Sequence, residues 1–94
     1  MSLLDRQRQL MKEVEMILRY RLKRVLLDRN IYLVYKNYYL RNLNGYKKTK
    51  TNFVDCEHSR TAHQLSLCYE NILLCRDEIK VLVNVLKMIQ ENKR

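Results

Sequence analysis

The residues best equipped for chemistry gather in one short stretch. Cys56, His58, His63 and Cys68 are spaced Cys-x-His, four residues, His, four residues, Cys. Thiolate and imidazole are zinc donors, but structural zinc sites draw them as close pairs from two turns. Here Cys68 belongs to an apolar helical seam and His63 lies about one turn before it, so convergence with Cys56 is awkward. No metal site is expected. Cys56 and His58, taken as nucleophile and base, lack an orienting acid and oxyanion donors. The chain has no Gly-rich phosphate loop, no His-Glu-x-x-His pattern and no serine elbow. It reads as a non-enzymatic protein with no catalytic residue and no cofactor.

Cations are the second resource. Nineteen Lys and Arg against ten Asp and Glu leave a formal charge of +9, which favours anionic partners: nucleic acid, or an acidic protein face. Arg19, Arg21, Lys23 and Arg24 crowd six residues, yet helical geometry sends Arg21 away from the Arg19–Lys23 side. Arg8, Lys12, Arg19 and Lys23 line up on one outward helix face, and Lys47, Lys48 and Lys50 form a second cluster. These seven are the candidate phosphate contacts. The competing reading is a set of solvated helix faces flanking an apolar stripe.

The elements that would position these groups are helical. Leu65, Cys68, Ile72, Cys75, Ile79, Leu82, Leu86 and Ile89 follow at alternating steps of three and four, an unbroken apolar heptad. A second ridge, Leu67, Leu74, Val81 and Met88, runs beside it at steps of seven. Together they make a helix apolar over roughly half its circumference, wider than the stripe of an ordinary surface helix. The heptad is read as a partner seam, for dimerisation or docking into a larger helical complex. Packing against Leu3–Val25 of the same chain is the competing assignment. The two are compatible, because one neighbouring helix cannot cover both ridges.

Taken in order, the chain offers Ser2 as an N-cap, then apolar residues at helical spacing from Leu3 to Val25. Arg21, Asp28 and Arg29 fall inside that apolar arc. Either the helix breaks near Asp28-Arg29-Asn30 or the three form an interfacial ion cluster, and the weak helix propensity of Asp and Asn favours a kink. Ile31–Leu43 is Tyr-rich and apolar almost all round, which predicts a third packing element. Asn44-Gly45 is a stop signal, with Gly45 suited to the left-handed conformation. A basic loop is expected over 44–60, and Thr61 with Gln64 forms a capping box for the last helix. The predicted organisation is a single all-α domain: a helical arm over 2–43, the loop, and a heptad helix over 61–91, folded as a hairpin or small bundle.

Cys68 and Cys75 sit about 10.5 Å apart along a helix axis, too far for an intrachain disulfide. Three cysteines without a framework spacing suit reduced thiols and an intracellular setting, nuclear or cytoplasmic. No run of apolar residues is long enough for a membrane span, and the charges at Asp5, Arg6 and Arg8 leave no visible signal peptide.

One stretch resembles a known family. Arg29-Asn30-Ile31-Tyr32-Leu33-Val34-Tyr35, followed by Arg41, is similar to the arginine-rich helix in the helical domain of GINS replication-complex subunits. Leu65–Leu74 resembles that domain's later packing helix. Val34 stands where the family has a small residue, the spacing to Arg41 departs from its pattern, and its small β-rich domain has no counterpart in these residues. The resemblance implies a non-catalytic subunit of the assembly that accompanies the replicative helicase, with Arg29 and Tyr35 at packing or subunit-contact positions. The function expected overall is a helical interaction subunit that self-associates or docks into a nucleoprotein assembly. The alternative is a direct nucleic-acid-binding protein.

Overall fold

Two α-helices account for every described residue after Ser2: α1, Leu3–Tyr46, and α2, Asn52–Asn92. The computed structural model describes the backbone of residues 2–46 and 52–92, and the side chains of 2–45 and 59–92. The chain contains no proline and one glycine, so nothing interrupts either helix. Ser2 opens α1 as its N-cap: its Oγ accepts the Asp5 N–H at 3.1 Å, and its carbonyl accepts the Arg6 N–H at 3.1 Å.

Several expectations about where the helices end are corrected. α1 passes through Asp28-Arg29-Asn30 without a break, so there is no kink. Nor do Arg21, Asp28 and Arg29 form one cluster, since Arg21 pairs with Glu78 and Asp28 with Arg24. The Tyr-rich segment is the last third of α1 rather than a separate element. Gly45 is helical with no positive φ, so it is not a left-handed cap. The loop is far shorter than 44–60, because residues 44–46 still belong to α1 and 52–60 already belong to α2. Thr61 accordingly lies inside α2 and is buried, not capping.

A helix of 44 residues is about 66 Å long at 1.5 Å per residue, which accounts for most of the 73 Å long axis. The shape is a rod of 73 × 20 × 14 Å with a radius of gyration of 21.2 Å. A compact chain of this length has a radius of about 12 Å. With five residues joining them, α1 and α2 fold back into an antiparallel hairpin. Arg21 of α1 meets Glu78 of α2, and Leu4, Arg8 and Met11 line one hollow with Ile89 and Asn92 at the open end.

The heptad of α2 is what closes the hairpin. Leu65, Cys68, Cys75, Leu82 and Ile89 are buried, while Ile72, Ile79 and Leu86 between them are half-buried. They face α1, where Leu18, Leu22, Val25 and Tyr32 pack against Cys75, Ile79 and Leu82. Val25, at 1% exposure, is the most deeply buried side chain described. The chain's own first helix thus packs on this seam through Leu18, Leu22, Val25 and Tyr32, while Leu3, Leu4, Leu10, Val14 and Ile17 of the stretch expected to cover it stay exposed. The match is imperfect on the α1 side, because Glu15, Arg29 and Lys36 are half-buried at the junction. The Arg29 Nε is enclosed without a hydrogen-bond partner. Such polar positions weaken a seam but penalise alternative registers.

Candidate functional site

A two-helix rod has one buried line and two open faces, and each face here has its own chemistry. The Arg21–Glu78 bond, with Nε donating to Oε1 at 2.6 Å, marks one side of the seam. Residues at the heptad positions of Arg21 and Glu78, and those one step further out, share this side on both helices. On α1 they read, at alternating steps of four and three, Leu10, Val14 and Ile17, then Arg21, Arg24 and Asp28, then Ile31, Tyr35 and Tyr38. All but Asp28 are exposed.

The α2 contribution to this face is the ridge read from the sequence. Leu74, Val81 and Met88 are exposed at 65%, 60% and 61%, and Leu67 is just exposed as well. The ridge is thus separated from the seam by the hairpin itself: one set is spent on the fold and the other is left facing water. Large apolar side chains aligned on both helices make a strip along the rod, more ordered than the scattered apolar residues common on any surface.

The strip is crossed at mid-length by a polar waist. Arg21 pairs with Glu78, and Arg24 lies 3.9 Å from Asp28. The bond to Glu78, followed by its charge, holds the Arg21 guanidinium more firmly protonated than usual. These groups are exposed or half-exposed, so the waist contributes little to hairpin stability in water.

Across the seam lies the second face. Lys12, Arg19 and Lys23 of α1 share it with Arg76, Lys80 and Lys87 of α2, all exposed, and Met16, Tyr69, Leu73 and Val83 stand exposed among them. Arg19 is partly neutralised, since its Nε and Nη2 donate to Glu15 Oε1 at 3.1 and 2.9 Å. Arg76 lies 3.6 Å from Asp77. The α2 cations were missed from sequence because they occur singly, at steps of four and seven. Only the antiparallel fold sets them beside the α1 row. Arg8, by contrast, lines the hollow at the open end. Lys47, Lys48 and Lys50 lie outside the described residues, as do the side chains of Cys56 and His58.

Of the other groups weighed for chemistry, His63 is exposed on α2 while Cys68 turns into the seam. Among the described residues, no group of three or more His, Cys, Asp or Glu is placed to hold a metal ion. Cys68 and Cys75 are free and buried. Burial pushes both thiols up, and Cys75 is raised further by Asp28 and Glu78 against the opposing pull of Arg21 and Arg29. Thiols held protonated are poor nucleophiles, and here they fill the seam.

No described helix is long and apolar enough to cross a membrane. No family model matches the chain, and neither a curated protein nor a solved structure does.

Proposed function

We propose that the protein is a small non-enzymatic interaction subunit that associates through the apolar strip of its hairpin. The observation that carries this reading is the exposure of Leu74, Val81 and Met88 on a helix whose other ridge packs on α1. The chain exposes 7995 Å², whereas a compact monomer of its mass exposes about 5,800 Å². The excess comes with the 73 × 20 × 14 Å rod shape and leaves room for the ~800 Å² per partner of a standard interface. Self-association and docking into a nucleoprotein assembly both use this strip, and a replication-related assembly is supported by the resemblance of residues 29–41 to GINS subunits alone.

The test is the size of the native particle in extracts of the source cells. The wild-type chain is expected to run well above monomer mass, and Leu74→Asp with Val81→Asp to run as a monomer while remaining helical. An unchanged particle in the double variant refutes the reading.

A second reading, direct nucleic-acid binding, is favoured by the six-cation face on the other side. Phosphate contacts of this kind release counterions, so affinity falls steeply with salt. Lys80→Glu with Lys87→Glu is expected to lower both the affinity for duplex DNA and the salt slope. Absence of binding at low salt excludes this reading without touching the first.

A further inference from the structure

We infer that the occupant of the apolar strip is a second copy of this chain, related by a two-fold axis that crosses the rod at its polar waist. This deepens the association reading by naming the partner.

The argument is self-complementarity. A two-fold contact requires a surface to read the same in both directions, a demand that a different partner does not impose. The α1 part of the strip meets it: three apolar residues, three charged, three apolar, at unbroken heptad steps. Turning one copy over about an axis level with residues 24–25 lays α1 antiparallel on the partner's α1. Ile17 then faces Ile31, and Val14 faces Tyr35. Arg21 faces Asp28, so each waist brings cation to carboxylate twice. The Arg24 pair falls near the axis, each guanidinium 3.9 Å from its own Asp28. On α2 the same operation sets Leu74 close to the axis and Glu78 opposite Asn71, whose amide can donate. The waist carries two cations and two carboxylates, so mating it with itself brings no net charge into the contact.

Area agrees with this. The strip from Leu10 to Tyr38 is about 42 Å long at 1.5 Å per residue, and on a rod 20 Å wide it matches the ~800 Å² per partner of a standard interface. The product is a four-helix assembly that leaves the two basic faces outermost.

The experiment is sedimentation equilibrium of the purified full-length chain, with two variants chosen at exposed positions so that the hairpin is not burdened. Ile17 is 67% exposed and Ile31 42%. The wild type is expected to have twice the mass of one chain at micromolar concentration. Ile17→Asp and Ile31→Lys, each alone, bury an unmatched charge twice per dimer and weaken association by at least ~100-fold. Circular dichroism shows both still helical. Mixing the two variants restores the dimer, because the introduced acid and base then face one another.

A wild-type monomer across the concentration range overturns the inference, as does one that gains mass only when DNA is added. A mixture that stays monomeric overturns the register. A larger particle in cell extract combined with a monomeric purified chain leaves the interaction-subunit reading intact and rejects the second copy alone.

Discussion

Two leucines eight residues apart on α2 are chemically identical and physically opposite, and truncating each to alanine separates the seam from the strip. Leu82 is 7% exposed and belongs to the cluster with Val25 and Cys75; Leu74 is 65% exposed. Leu→Ala removes about three methylene equivalents, or about 2.4 kcal/mol when fully buried at ~0.8 kcal/mol each. At Leu82 nearly all of that is lost, plus a cavity term. The cavity term is small because the seam has only two walls, and either helix can settle inward. The expected total is about 2.5–3.5 kcal/mol. At Leu74 only about a third of the side chain is withdrawn from water, which gives about 0.8 kcal/mol. The slightly better helix propensity of alanine offsets part of this.

Thermal melts followed by circular dichroism at low protein concentration read the difference. With ~4–8 °C per kcal/mol for a domain of this size, Leu82→Ala lowers the midpoint by about 10–28 °C and Leu74→Ala by only a few degrees. Under the proposed association, which covers only the strip, raising the concentration is expected to enlarge the Leu74→Ala effect and not the other. Equal shifts at low concentration, or a larger one for Leu74→Ala, refute the division of α2 into inner and outer ridges.

Other outcomes follow from single features of the hairpin. Gly45 is helical, has no positive φ, and a methyl group placed on it meets nothing within 4 Å. Gly45→Ala is therefore expected to stabilise the chain by about 0.5–1 kcal/mol, and a lower melting temperature would show that this turn of α1 is not helical in solution. Cys68 and Cys75 are held protonated by burial. The unfolded chain ionises its thiols first, so stability is full below the ordinary thiol range of about 8.5 and is lost as pH climbs towards the raised folded values. Melts from pH 7 to 10 are expected to show that fall, and Cys68→Ala with Cys75→Ala to flatten it. Iodoacetamide mapping at neutral pH is expected to leave both thiols unmodified until denaturant is added; prompt labelling of either contradicts its place in the seam.

The α2 heptad was legible in the sequence because strict steps of three and four admit only one geometry, and the helix carries it as expected. The identity of what covers the seam was not legible. Periodicity reports that a stripe is buried, not whether the burying helix belongs to the same chain. On α1 the pattern is blurred by Glu15, Arg29 and Lys36 at inner positions, so its partnership with α2 shows only in three dimensions. The break expected at Asp28 rested on intrinsic propensity, a weak term that packing of Val25 and Tyr32 outweighs. Asn44, Gly45 and residues 52–60 misled for a similar reason, since helices nucleated elsewhere extend through poor formers at small cost. The basic face was half visible: Lys12, Arg19 and Lys23 share one helix, whereas Arg76, Lys80 and Lys87 join them only through topology.

The thinness of the rod bears on how it comes apart. Each turn touches only the turn across from it, so cooperativity is passed along the length and never pooled in a centre. At the end bearing Leu4 and Ile89 the helices meet only by packing, whereas at the other the chain passes directly from α1 to α2. Unravelling thus begins at the open tips and advances as a moving junction, and amide exchange is slowest around Val25 and Cys75 and quickens towards Ser2 and Asn92. A molecule built this way loses little when its tips fray and much when its middle is damaged.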